Sequence, residues 1–156
     1  LEEVAEYWHQ VVKINDYQKN RFAQKIIDHF GGDLTGKKIA ILGWAFKANT
    51  NDSRESPAID VAAKLLRAGA VLQIYDPMVS KESIFRDIDF YWEASKINEL
   101  KSRITVLDSM SKLDFSFDAA ALLTEWQEFK NLDFSNQLVF DGRGILSSSF
   151  YSIGKG

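Results

Sequence analysis

The chain has 156 residues, of which 46% are hydrophobic and 13% aromatic, so it can bury the core of one globular domain and is unlike a disordered chain. Its 19 basic and 22 acidic residues give a net charge of −3, which offers no electrostatic reason to expect a nucleic acid or an anionic membrane as a partner. No apolar run approaches the roughly 18 residues of a membrane span, and the N-terminus lacks the pattern of a signal peptide, so we expect a cytoplasmic protein.

Residues that bind transition metals are scarce. The chain contains no cysteine, which excludes disulfides, thiolate metal sites and cysteine nucleophiles. Its two histidines, His9 and His29, fall in one helical segment with no ligand partners at a suitable spacing. We therefore expect no metal site.

Residues 1–30 predict one long amphipathic helix, which Gly31 and Gly32 end. Apolar residues recur there at steps of three and four: Val4, Tyr7, Trp8, Val11, Val12, Ile14, Phe22, Ile26 and Phe30. No cap precedes the helix and the first residue is not methionine, so we expect the chain to begin inside a longer protein. The helix either packs against its own domain or, through Tyr7 and Trp8, pairs with a second chain.

After the helix the pattern changes to that of a sheet. Residues 38–42 form a short continuous apolar run before Gly43, which is typical of a strand buried on both faces. A polar loop follows over residues 44–55. Ser56 and Pro57 then predict the start of a second helix, because serine suits the N-cap and proline the first helical position.

Strands and helices alternate over the rest of the chain. A second strand covers residues 71–75 and ends at Asp76 and Pro77. The later predictions are an irregular stretch with one or two short helices at 81–101, strands at 104–107, 119–123 and 138–140, a short helix at 124–132, and a final edge strand at 151–153. This alternation predicts an α/β fold with a doubly wound, mostly parallel sheet over residues 33–156, preceded by a connecting helix over 1–32.

Segments that contain many polar residues follow the predicted strands, at the edge where open parallel sheets bind their ligands. These segments are residues 43–57, Asp76, Thr124-Glu125-Trp126 and Asp141-Gly142-Arg143. Lys47 and Arg143 would lie at one rim, and Arg54 would lie close to the start of a helix. Cations beside a helix N-terminus suit an anionic or hydroxyl-rich ligand, and a sugar nucleotide is both.

Two other sites are less favoured by the sequence. No strand is followed by G-x-G-x-x-G, so a complete NAD site within this chain is not expected. Asp76 and Asp141 could pair in a metal or phosphatase site, but neither belongs to a D-x-D pattern. An aspartate before proline, as at Asp76, is typical of a turn.

Residues 43–57 match the pattern G-x-A-F-K-x-x-T-x-D-x-R-x-S-P, and together with Tyr75-Asp76-Pro77 and Asp141-Gly142-Arg143 they resemble the C-terminal domain of the UDP-glucose/GDP-mannose dehydrogenase family. Thr124-Glu125-Trp126 is similar to the UDP-glucose branch of that family. Residues 7–22 resemble the end of the long helix that joins the family's two Rossmann-like domains.

The resemblance implies that the intact protein oxidises the C6 alcohol of UDP-glucose twice, to a carboxylate, with two NAD. It implies that Phe46, Lys47 and Arg143 contact UDP-glucose, with Phe46 acting through its backbone or by shaping the pocket. It also implies that Arg54 reaches NAD bound mainly by the N-terminal domain. The family's catalytic cysteine, its other catalytic residues and its nucleotide loop would lie upstream of Leu1, so the chain alone is expected to be inactive.

Two alternatives remain open. Family members assemble through the region of the long helix into dimers, and some into hexamers, so the chain could serve as a homo-oligomerisation module. It could also belong to the UDP-N-acetylmannosamine branch, which Glu125 and Trp126 make the lower-ranked choice.

Overall fold

The computed structural model describes residues 2–146 and 151–152, and the side chains of 3–7 and 18–146 among them. The helices are α1 (Glu2–His29), α2 (Pro57–Arg67), α3 (Lys81–Tyr91), α4 (Ile97–Ser102) and α5 (Gln127–Lys130), with a 3-10 turn at Met110–Lys112. The strands are β1 (Lys38–Leu42), β2 (Val71–Tyr75), β3 (Ile104–Val106), β4 (Ala119–Leu122), β5 (Val139–Asp141) and β6 (Tyr151–Ser152).

The six strands of the described residues form one parallel sheet in the order β3-β2-β1-β4-β5-β6. Successive strands run outward from β1 in one direction and from β4 in the other, which is the doubly wound, Rossmann-like order. The predicted fold class is confirmed. The order reverses between β1 and β4, so a crevice is expected beyond the carboxyl ends of these two strands.

The centre of the sheet is buried because its strands are apolar on both faces. Residues 39–42 of β1 and 119–122 of β4 are fully buried. The alanines of β4 add little bulk, so larger side chains such as Trp44, Phe129 and Phe140 fill the space around the sheet. The loops at its carboxyl edge therefore start from a rigid base.

The second helix begins as the sequence predicts. Ser56 caps α2 by accepting a hydrogen bond from Ala58 N at 3.3 Å, and Pro57 occupies the first turn. Gly69 follows the helix with a φ of +108°, and a Cβ there would lie 2.7 Å from Thr35 Oγ1. Only glycine suits this close, left-handed turn.

The long helix α1 belongs to the same packed unit as the sheet. Phe22, Ala23, Ile26 and Ile27 are buried in the common core, and α1 packs against α2. The interpretation of α1 as a packing helix is supported over its second half. The boundary between residues 32 and 33 stays a prediction.

The stretch 81–101 is more regular than predicted, because an 11-residue helix, α3, occupies its first half. Ser80 caps it by accepting from Ser83 N at 3.1 Å, and Ile84 and Ile88 are buried one turn apart. The two helices α3 and α4 agree with the one or two short helices predicted there. Two apolar anchors on a polar helix give a weak periodic signal, which explains why the rest of the stretch was predicted to be irregular.

Smaller differences concern the ends of elements. The helix predicted at 124–132 is limited to α5, and Leu107, Leu123 and Leu138 fall just outside their strands. The last predicted strand is present at Tyr151–Ser152, while Ile153 lies outside the described residues. In the described part of the chain, no helix combines the length and apolar character needed to span a membrane.

Candidate functional site

The carboxyl ends of β1, β2, β4 and β5 meet at one edge of the sheet, and the loops that follow them form the candidate site. The longest is the loop of residues 43–56 between β1 and α2, called here the β1 loop. Its first half runs beside the ends of the neighbouring strands, and its second half runs toward α3.

Asp76 anchors the first half of the β1 loop. The carboxylate is buried and accepts five N–H groups. The donors are the amides of Trp44, Ala45, Met78 and Val79 and the indole Nε1 of Trp126, at 2.7–3.1 Å. Backbone and indole donors thus satisfy a negative charge that would otherwise be costly to bury.

Asp141 has a similar structural role at the end of β5. Its Oδ1 accepts from Arg143 N at 3.0 Å and Gly144 N at 2.8 Å, and its Oδ2 accepts from Leu146 N at 2.8 Å. Both aspartates use their oxygens on backbone amides, so they do not form the metal or phosphatase pair considered from the sequence. Among the residues with described side chains, no three His, Cys, Asp or Glu residues cluster as metal ligands would.

Gly43 lets the β1 loop pass close to β4. Its φ is +103°, and a Cβ at this position would lie 2.5 Å from Thr124 Oγ1 and 2.6 Å from Thr124 N. Any side chain would therefore collide with a fixed backbone. Thr124 is fully buried and donates from Oγ1 to Ala45 O at 2.8 Å, which ties the loop to β4.

Phe46 and Lys47 lie at the tip of this anchored half. Phe46 N donates to Asp52 O at 2.8 Å, so its amide is occupied, whereas its side chain is 50% exposed. The expected contact of Phe46 with UDP-glucose, through its backbone or by shaping the pocket, stays a prediction, and its half-exposed ring is accessible for the second of these roles. The Lys47 side chain is exposed, and its ammonium contacts no hydrogen-bonding or ionic partner among the described residues.

Arg143 reaches from the end of β5 to the β1 loop. Its Nη2 donates to Phe46 O at 2.6 Å, and its Nε donates to Leu123 O at 3.0 Å. The same Nε lies 3.4 Å from Glu125 Oε2. The structure therefore brings Arg143 to the backbone of Phe46, the residue before Lys47. Lys47 and Arg143 are the two cations that the sequence placed at one rim.

Arg54 lies in the second half of the β1 loop and is exposed. Its side chain is 84% exposed, and its Nε and Nη2 each lie 3.1 Å from the carboxylate of Asp52. Hydrogen bonds from Arg54 hold the pKa of Asp52 below its usual value. Within the described part of the chain, no hydrogen bond or ion pair joins the Arg54 side chain to Lys47 or Arg143.

Helix α3 supports this second half, which the sequence did not reveal. Asp87 Oδ2 accepts from Ser53 Oγ at 2.5 Å and from Trp44 Nε1 at 2.9 Å. One turn later, Tyr91 OH accepts from Glu55 N at 3.2 Å, where Glu55 has a φ of +57°. The available signal was the i,i+4 spacing of Asp87 and Tyr91, parallel to that of the buried isoleucines of α3.

Tyr75 lies beneath the anchored half of the loop. Its carbonyl accepts from Gly43 N at 2.8 Å, and its ring meets that of Phe129 at a centroid distance of 6.3 Å. Burial, followed by a hydrogen bond to Glu128, raises the pKa of Tyr75 to about 12. The hydroxyl is therefore a hydrogen-bond donor, not a base, at neutral pH.

Comparison with known proteins gives a consistent result. The model of the "UDP-glucose/GDP-mannose dehydrogenase family, UDP binding domain" matches residues 40–148. UDP-glucose 6-dehydrogenase 4 of Arabidopsis thaliana is 43% identical over 179 aligned positions, which cover 99% of this chain and 37% of that protein. UDP-glucose 6-dehydrogenase 1 of Glycine max is 42% identical with the same coverage.

The structure is also similar to that of a UDP-glucose dehydrogenase from the hyperthermophilic archaeon Pyrobaculum islandicum. The TM-score is 0.69 at 27% identity, and the match covers 92% of this chain and 30% of the archaeal one. The chain spans about 37% of the length of the curated relatives named above. With a family match over residues 40–148 and the parallel sheet in place, this chain belongs to the UDP-glucose/GDP-mannose dehydrogenase family and corresponds to its C-terminal, UDP binding domain.

Proposed function

We propose that this chain is the UDP-glucose-binding part of a UDP-glucose 6-dehydrogenase, which converts UDP-glucose and two NAD to UDP-glucuronate and two NADH. The observation that carries the proposal is the bond of 2.6 Å from Arg143 to Phe46 O, which puts the guanidinium at the peptide group that precedes Lys47. The curated relatives from Arabidopsis thaliana and Glycine max are named UDP-glucose 6-dehydrogenases, which favours this branch over the UDP-N-acetylmannosamine branch.

The chemistry of the three substrate-binding candidates suits a sugar nucleotide. Lys47 offers a compact ammonium with three donors for hydroxyl or phosphate oxygens. Arg143 offers a planar guanidinium, whose Nη1 donates to no acceptor among the described residues. The half-exposed ring of Phe46 offers an apolar surface on the residue that precedes Lys47.

We do not expect a complete NAD site from the residues of this chain, since no strand is followed by G-x-G-x-x-G. Arg54 is 84% exposed and suits a contact with NAD that another part of the protein holds. NAD supplies the hydride acceptor in the proposed reaction. The chain contributes no thiol, so its own part is to bind and orient the sugar nucleotide.

Calorimetric titration of the chain with UDP-glucose tests this function. We expect weak binding, because contacts from the rest of the protein are absent, and we expect Lys47→Ala or Arg143→Ala to weaken it about tenfold. Matched controls are Lys38→Ala and Arg67→Ala, at the start of β1 and the end of α2, which lie at the opposite edge of the sheet. No response at millimolar UDP-glucose, or equal losses in all four variants, would reject the proposal for this chain.

A second candidate function is assembly into a homo-oligomer through α1. Val4 is 59% exposed and Tyr7 is 65% exposed, and their spacing puts both on one face of the helix. Sedimentation velocity tests this candidate: we expect a dimer that Val4→Ser with Tyr7→Ser converts to a monomer. A wild-type chain that stays monomeric at high concentration would count against it.

A further inference from the structure

The tripeptide after β4 sends all three of its side chains to the anchorage of the β1 loop. The contacts are Thr124 Oγ1 to Ala45 O at 2.8 Å, Ala48 N to Glu125 Oε1 at 3.0 Å, and Trp126 Nε1 to Asp76 Oδ2 at 3.1 Å. Because β1 and β4 are neighbouring parallel strands, the tripeptide lies beside the loop over its first half. The Thr-Glu-Trp sequence thus has a structural task that neither the fold nor the proposed ligand contacts had assigned.

Glu125 and Arg143 hold the two peptide groups that flank Lys47. Arg143 Nη2 donates to Phe46 O at 2.6 Å, and Glu125 Oε1 accepts from Ala48 N at 3.0 Å. The two side chains also pair with each other, with 3.4 Å between Arg143 Nε and Glu125 Oε2. We call this arrangement the Glu125–Arg143 bracket. It fixes the backbone of Lys47 from both sides.

The bracket leaves the Lys47 ammonium exposed while the backbone beneath it is held. Both carboxylate oxygens of Glu125 are engaged, one by an amide and one by a guanidinium. A carboxylate whose two oxygens are both engaged is poorly placed to bind a sugar hydroxyl itself. Arg143 also balances the negative charge of Glu125, which would otherwise repel an anionic ligand.

We propose that Glu125 is a positioning residue, which through the bracket holds the loop backbone that presents Lys47 to the UDP-sugar. This inference rests on the proposed function, because the ligand is the one assigned there. Glu125 acts through the loop backbone, so its contribution to binding depends on the presence of Lys47. That dependence separates positioning from direct contact with the ligand.

A double-mutant cycle with UDP-glucose tests this dependence. Glu125→Ala should weaken binding about five- to tenfold in the wild-type chain, and less than about twofold when Lys47→Ala is already present. Glu99→Ala is the matched control, since Glu99 also pairs with an arginine, Arg103, at 2.9 Å but lies before β3 at the opposite edge. It should leave binding unchanged.

An equal loss in both backgrounds would overturn the proposal, because Glu125 would then act independently of Lys47. Wild-type affinity in Glu125→Ala would overturn it as well. A wild-type chain that binds no UDP-glucose would instead reject the proposed function.

Amide hydrogen exchange tests the bracket without any ligand. Glu125→Ala should reduce the protection of Ala48 N–H about tenfold, whereas Glu125→Gln, which keeps an acceptor for that amide, should largely restore it. The amide of Trp44, which donates a hydrogen bond to Asp76 at 2.7 Å, is the internal control, and its protection should change by less than about twofold. Unchanged protection of Ala48 in Glu125→Ala would disprove the bracket, whatever the titration shows.

Discussion

The two halves of the β1 loop are held in different ways. Residues 43–48 are held by two buried residues that follow β2 and β4, Asp76 and Thr124. Residues 49–55 are largely exposed and rely on α3 and on the pairing of Arg54 with Asp52. The comparison indicates that the half with Lys47 is preformed, whereas the half with Arg54 can adjust at small cost.

The largest expected effect comes from breaking the buried anchor. Asp76→Ala leaves five N–H groups without their acceptor, so we expect a loss of about 3–5 kcal/mol in the free energy of unfolding. Urea unfolding followed by tryptophan fluorescence measures it. Asp52→Ala, in the exposed half, is the control and should unfold close to wild type. A loss below about 1 kcal/mol for Asp76→Ala would mean that the first half is not anchored there.

Adding a side chain at Gly43, where the β1 loop passes close to Thr124, should cause the next largest loss of stability. Gly43→Ala puts a Cβ 2.5 Å from Thr124 Oγ1 at a φ of +103°, so we expect a loss of about 2–4 kcal/mol. Gly36→Ala is the control, because Gly36 also has a positive φ, of +78°, but faces open space. It should cost about 1 kcal/mol. Equal losses in the two variants would show that strain in the backbone, not contact with β4, decides the cost.

A pH profile probes the packing beneath the anchored half. The pKa of Tyr75 is raised from 10.0 to about 12 in the folded chain. The protonated hydroxyl therefore contributes fully to the free energy of unfolding below pH 10, and this contribution is lost as the pH rises toward 12. The loss is on the order of 2 kcal/mol. Stability measured from pH 9 to 12 should fall more steeply for the wild type than for Tyr75→Phe. Parallel profiles would contradict the raised pKa.

The smallest effect is expected in the exposed second half of the β1 loop. Hydrogen bonds from Arg54 lower the pKa of Asp52, so their stabilising contribution is present above the usual aspartate pKa and is lost as pH falls through the folded value. NMR titration of the Asp52 carboxyl should show this pKa rising toward the normal value in Arg54→Gln. The pKa of Asp133, which Ser135 lowers, should not move. High salt should weaken the Arg54–Asp52 pairing, since both groups are exposed to solvent.

Local features of the fold could be predicted from the sequence, whereas contacts between distant residues could not. Ser56 and Pro57 mark the start of α2 because a cap depends on neighbouring residues alone. Asp76 was expected to form a turn, and it does accept from Met78 N and Val79 N. Its bond to Trp126 joins residues 50 positions apart, which a single sequence does not reveal.

The candidate site shows the same limit. The alternation of strands and helices was enough to bring Lys47 and Arg143 to one edge of the sheet. The support from α3 was missed because residues 81–101 were predicted as an irregular stretch with one or two short helices whose bounds were not given, so Asp87 and Tyr91 were not placed on one helix face. The i,i+4 spacing of Asp87 and Tyr91 indicates a shared helix face, but the hydrogen bond from Glu55 N to Tyr91 OH depends on where the loop meets α3, which the local sequence does not give.

The loop that carries the family signature owes its shape to residues synthesised much later. Asp76, Thr124 and Arg143 contact it across separations of 31 to 97 positions. On a ribosome the complete signature would emerge well before its supports, so binding competence should be the last property that the folding chain acquires. A chain that ended before β4 would retain all of residues 43–57 and still lack a formed site.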